Sequence, residues 1–183
     1  MGLLRLIHFS KKPLDSVKSV SVKIQKIDTK PVGLWFSVEG NGDGWKNWCE
    51  AESYNLDNLL YKNQIELESD ANLLILSSIV AIDSFHERFK ASLPGMEKYF
   101  SDYIDWQRVA IEYQGIIIMP YIWERRLDGK AHSWYYGWDC ASGCIWDSKA
   151  IKNIITMRTD ELESGEHISP DIQDEGDSRL EER

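Results

Sequence analysis

His8 closes an apolar run, LLRLIHF, and Ser10 follows it by two positions. Trp35, Phe36 and Ser37 lie side by side in KPVGLWFSVEG, just after a Pro-Val-Gly turn, and Asp139 and Ser142 lie in WDCASGCIW. A histidine can hold or pass a proton near neutral pH. Indole and phenyl faces can grip a flat ligand. A carboxylate set between Trp138 and Cys140 needs a partner or has a task, because an unpaired charge is costly in apolar surroundings. Together these residue types suit a site for something flat with polar edges. Because neighbours on a strand face opposite sides, one of Trp35 and Phe36 is expected in the core and the other is free to line a pocket.

Other chemistries lack their residues. No Walker-type glycine loop, no Gly-x-Gly-x-x-Gly after a strand and no Gly-x-Ser-x-Gly elbow occurs. Cys140 and Cys144 are separated by three residues, as in the first half of a zinc site. Cys49 and the histidines at 8, 86, 132 and 167 show no matching spacing, so no metal is expected. A Cys-His nucleophile using Cys140 or Cys144 is formally open. Glu112 and Glu124 are further carboxylates on other segments, and Arg125, Arg126 and Lys130 form a basic patch beside an Asp-Gly turn. Trp45 and Trp48, three apart in WKNWCEAESY, fit helix packing, and His86 in SFHERF fits a surface helix position.

The elements that must carry these residues read as α+β. Strands are expected at LLRLIHF, VSVKI, VGLWFSV, QIELE, NLLIL, IIIMP, SWYYGW and GCIWD, and helices at PLDSVKSV, WKNWCEAESY, SSIVAIDSFHERF and IDWQRVAIEY. VGLWFSV is apolar on both faces and so belongs in the middle of a sheet. Asp105 is placed to cap the helix whose stripe is Trp106, Val109, Ala110 and Tyr113. Strands and helices do not alternate regularly, which favours a mixed or antiparallel, split sheet with three or four helices over a doubly wound one.

The chain has 183 residues and a net charge of −9, and the charge is unevenly placed. Residues 159–183 hold ten acidic and two basic side chains, leaving 1–158 nearly neutral. The segment from 159 has no aromatics, so it is expected to be a disordered acidic tail on a single 1–158 domain. No basic footprint for phosphate backbones is evident. The opening MGLLRLIHFSKKP reads as a strand rather than a signal peptide, and position 6 is not the Ser or Thr that a myristoylation motif wants. An odd number of cysteines points to reduced thiols and a cytoplasmic setting, and no stretch is long and apolar enough to span a membrane, so no membrane partner is expected.

The order LIHFS, GLWFS, helix, EYQGIIIMPY and WDCASGCIW resembles the ADP-ribosyltransferase fold, as in diphtheria-toxin-like transferases and bacterial or phage toxins. The resemblance covers roughly residues 4 to 150 through short motifs. It implies NAD as substrate, with nicotinamide leaving and ADP-ribose passing to a protein or nucleic-acid acceptor. It implies that His8 bonds the ribose hydroxyls, that Trp35 or Phe36 packs on nicotinamide near Ser37, and that Ser10 reaches a ribose or phosphate. It also implies that backbone groups at Gly33 and Leu34 read the carboxamide. The family's glutamate at the third motif is absent from ASGCIW, which leaves Asp139 or Ser142 to serve, or an NAD-binding protein without transfer.

A different class stays open beside it: a small acidic interaction or inhibitor protein of the immunity type, engaging a basic partner through its Trp-rich surface or its tail. Convergence of His8, Trp35 and Phe36 on a concave pocket would favour the enzyme, and a closed core with aromatics displayed elsewhere would favour the interaction protein.

Overall fold

The computed structural model describes residues 5–40, 42–92, 95, 103–127 and 133–160. The acidic tail from residue 161 onward, Lys130, His132 and His167 lie outside the described residues.

Ten strands and four α-helices form among the described residues, more strands than the seven or eight expected. The strands are β1 Arg5–Ser10, β2 Ile27–Asp28, β3 Leu34–Glu39, β4 Tyr61–Leu67, β5 Leu73–Leu76, β6 Lys90–Ala91, β7 Tyr103–Asp105, β8 Gly115–Ile118, β9 Ser142–Ile145 and β10 Ile151–Arg158. The helices are α1 Trp45–Glu52, α2 Ile79–Phe89, α3 Trp106–Glu112 and the short α4 Trp123–Arg126. Seven strands make one sheet in the order β10-β4-β1-β3-β9-β8-β5, and β2-β7-β6 make a small second sheet. All pairs are antiparallel except β5 with β8, whose parallel pairing needs the long crossover through α2 and α3.

β3 lies at the centre of the large sheet, as its apolar sequence requires. Phe36 and Val38 on one of its faces are buried in the main core with Leu6 and Ile65 of the neighbouring strands. α2 adds Ile82, Phe85 and Phe89, and α3 adds Trp106 and Val109. Both α2 and α3 start where a side chain satisfies an otherwise orphaned amide: Ser78 accepts from Ala81 N and Asp105 from Arg108 N. Phe36 reaches the core because β9 carries glycine at the paired position. A Cβ on Gly143 would stand 2.4 Å from Phe36 Cζ and 2.3 Å from the Ile116 carbonyl oxygen.

Besides the short β2, β6, β7 and α4, which had no sequence signal, four segments depart from the sequence expectation. PLDSVKSV is irregular rather than helical, with Ser19 Oγ bonded to Asp147 and Ser148. VSVKI is not a strand: Val22–Ile24 is a 3-10 turn capped by Ser21, and Val20 N donates to Trp146 O. SWYYGW is also 3-10, at Ser133–Gly137. Trp134 and Tyr135 are consecutive and both enter the core, which a strand, sending neighbours to opposite faces, would forbid. β10 was not anticipated, because IKNIITMR is a polar edge strand whose alternation is broken by a register shift between Ile151 and Asn153.

His86 is a correction as well. It is buried, not on the surface, and its Nδ1 accepts from Trp134 Nε1 at 3.2 Å.

The Gly143 contact has a measurable consequence. The Ile116 carbonyl is held in the β8–β9 ladder and cannot yield, so Gly143→Ala should cost about 1–3 kcal/mol of stability in urea denaturation. A loss below about 0.5 kcal/mol would mean that both Phe36 and the β8–β9 ladder can shift to admit the methyl group.

Candidate functional site

The large sheet parts between β1 and β3. The two strands pair only from Arg5↔Glu39 to Ile7↔Ser37. Beyond that point β1 continues along β4 as far as Ser10↔Tyr61, and β3 continues along β9 as far as Leu34↔Ile145. A cavity of about 300 Å³ occupies the fork. Its walls include His8, Trp35, Phe36, Ser37, Asp139 and Ser142, which come from three separate parts of the chain.

His8 stands at the apex. Its Nδ1 lies 2.7 Å from the Trp35 carbonyl oxygen, which has lost its ladder partner on β1. A carbonyl only accepts, so Nδ1 carries the proton, and Nε2 of the neutral ring keeps its lone pair. Burial holds this imidazole below its usual 6.5, and the bond to Trp35 offsets part of that effect. The strand beneath is pinned by Asn63, fully buried on β4. Its Nδ2 donates to His8 O and to Ser10 Oγ, each at 2.9 Å, and its Oδ1 accepts from Thr156 and Leu14.

The aromatic wall is half-buried Trp35, with the edge of buried Trp138 4.8 Å away between centroids. Trp45 of α1 closes another side and stacks on Trp48 at 5.0 Å. Ser37 and Ser142 face one another in register on β3 and β9. Ser37 Oγ donates to Glu39, and Ser142 Oγ donates to Cys140 O at 2.9 Å. Asp139 is bridged to Arg126 of α4 at 3.1 Å. Arg126 in turn lies over the Trp123 and Tyr136 rings and donates to Tyr121 Oη.

The remaining sequence candidates lie elsewhere. Ser10 does not line the cavity; its hydroxyl donates to Lys12 O. Gly33 and Leu34 are also outside the lining. Leu34 pairs with Ile145, and Gly33 packs so closely that a Cβ would stand 2.5 Å from Ile145 O. Glu112 pairs with Arg88 on the helical side, and Glu124 is exposed on α4. Arg125 grips Asp83 of α2 through two 2.6 Å bonds, so it fastens α4 rather than facing a ligand.

The three thiols are buried and free, and burial pushes Cys49 up to about 11 and Cys140 up to about 12, with Cys144 also raised. None is a thiolate at neutral pH, which removes the ready nucleophile a Cys-His pair needs. No group of three or more metal-ligating side chains converges among the described residues. No described helix is long and apolar enough to cross a membrane.

Lys30, Trp45 and Trp138 are lining residues that the sequence did not single out as site residues. Trp138 carried one signal, its adjacency to Asp139. Lys30 carried none, since it reaches the cavity only through the turn that leads into β3.

In comparisons with known proteins, no family model, no curated protein and no solved structure matches the chain.

The state of His8 is testable by pH. Its folded-state pKa lies below the unfolded value, so as pH falls the unfolded chain takes up the proton first. The His8 contribution to stability is therefore full above about pH 6.5 and declines as pH drops toward the folded value. Wild type should lose stability more steeply than His8→Gln between about pH 7 and pH 5 in matched denaturant titrations. Equal slopes would place the imidazole in solvent.

Proposed function

We propose that the chain is an NAD-dependent mono-ADP-ribosyltransferase acting on a protein or nucleic-acid acceptor. The observation that carries this is the convergence of His8, Trp35, Ser37, Asp139 and Ser142 on one cavity at the fork of the sheet. The volume is at the lower end of ligand pockets, roughly 300–1,000 Å³, and suits a flat ring with its sugar while the rest of a dinucleotide extends through the mouth.

In this assignment nicotinamide lies against Trp35, and His8 Nε2 accepts a hydrogen bond from a ribose hydroxyl. The bond between the ribose carbon and the ring nitrogen breaks, and its electron pair leaves with neutral nicotinamide. The acceptor nucleophile bonds to the same carbon and gives up its proton. Positive charge builds on the ribose during this step, so nearby negative charge and oriented oxygen acceptors are worth most there. Ser142 and Asp139 are the polar groups of the β9 side that line the cavity. The bridge to Arg126 orients Asp139 and reduces its pull on the developing cation.

A second reading, a non-enzymatic interaction protein, has one observation in its favour. Trp123 and Tyr136 are exposed at 55% and 63% around Arg126, and Trp, Tyr and Arg are the residues enriched among interface anchors.

Nicotinamide release from NAD, with and without cell lysate as acceptor, separates the two. Release should fall at least about 100-fold in His8→Ala. Release that persists in the His8→Ala, Trp35→Ala double variant would remove the cavity from the reaction. No release and no heat of NAD binding would favour the interaction protein, whose partner binding should then depend on Trp123 and Tyr136.

A further inference from the structure

Lys30 sits at the mouth of the cavity with an exposed side chain. Its Nζ lies 5.1 Å from the centroid of the Trp35 ring, a cation resting on an aromatic face. The stem crosses Gly137, where an added Cβ would stand 3.2 Å from Lys30 Cε, so the lack of a side chain at 137 leaves room for it. The other three ionisable groups lining the cavity leave its charge unanswered, the Cys140 thiol because burial keeps it protonated. Asp139 is already matched by Arg126, and burial favours the neutral form of His8. No carboxylate among the described residues pairs with Lys30, whose ammonium is therefore an uncompensated charge on an otherwise aromatic wall.

A cation stationed on the face that would receive a flat ring has two consequences. It repels a cationic ring such as a pyridinium, and it must leave the Trp35 face when such a ring enters. The released ammonium then moves toward the nearest anion, and its flexible four-carbon stem allows that movement without a change in the backbone.

We propose that Lys30 is the phosphate seat of this cavity, binding the phosphate of a ligand whose flat ring and sugar lie inside while the phosphate stays at the mouth. The choice of a pyridinium ring rests on the NAD assignment above; the seating of the phosphate rests on the position and free charge of Lys30. With the site empty, Lys30 covers the Trp35 face. With the site filled, it neutralises the phosphate. Lys30 is thus a specificity-determining residue that favours a nucleotide over the corresponding nucleoside.

The test is calorimetry at low ionic strength on the full chain and on Lys30→Met and Lys30→Arg, with nicotinamide riboside and nicotinamide mononucleotide as probes. Met keeps most of the stem over Gly137 and removes the charge. Wild type should bind the mononucleotide about tenfold more tightly than the riboside, an advantage that shrinks as salt is added. Lys30→Met should lose the advantage while binding the riboside at least as well as wild type, because the competing cation has gone. Lys30→Arg should keep it. An undiminished preference for the mononucleotide in Lys30→Met would overturn the proposal and leave the NAD assignment standing. So would equal binding of the two probes by wild type. Failure of wild type to bind either probe at millimolar concentration would overturn both.

Discussion

The parting of β1 from β3 is the constraint on which the site depends. Backbone amides and carbonyls inside a protein must be paired, so a sheet can fork only where each strand finds another partner. Here β1 turns to β4 and β3 turns to β9, each keeping a full ladder on its outer side. The inner edges would be left bare at the fork, and His8 supplies the missing donor to the Trp35 carbonyl. The side chain that suits ligand chemistry is therefore also the one that makes the fork tolerable. Asn63 completes the arrangement from below by fixing the end of β1, a loop amide and Thr156 through one buried amide group.

The aromatic content divides between two tasks. Trp106, Trp134, Trp138 and Trp146 are buried in the core, and Trp138 also lines the cavity. Three of these indoles find acceptors, in the carbonyls of Asp28 and Tyr113 and in the ring of His86. Burying an indole N–H without such an acceptor costs free energy, which explains why a histidine is drawn into the core at position 86. Trp35 and Trp45 stay half-buried, with faces turned to the cavity walls. Electrostatics are arranged with similar economy. Arg125 and Arg126 of one short helix each take a carboxylate, Asp83 on α2 and Asp139 at the cavity. Adjacent positions in one turn thus connect the helical layer to the site.

Much of this was legible in the sequence. The α+β class, the central place of GLWFS, the two amphipathic helices and the Asp105 cap all follow from local pattern, since each depends on alternation or helical spacing within a few residues. His8, Trp35, Phe36, Ser37, Asp139 and Ser142 also stand out by type and local setting, and they share one cavity. Local pattern misleads where packing overrides it. Aromatic SWYYGW has strand composition, but the core takes Trp134 and Tyr135 together and forces a tight helical turn. VSVKI alternates as a strand would, but it makes no ladder with either sheet. IKNIITMR lacks an apolar run because an edge strand with one covered side needs none.

The sequence alone determined which residue types were present at strand ends and which strand was apolar enough to be central. Only the tertiary structure decided their charge state and neighbours. It joined Asp139 to Arg126, tied Ser10 to its own loop, used Gly33 for close packing against β9, and laid Lys30 across Gly137 onto Trp35. The physical reason is range. Alternation and capping act over a few residues and are written in the chain, whereas the meeting of separate segments is not: Asp139 finds Arg126 on another element, and Lys30 meets Gly137 from more than 100 positions away.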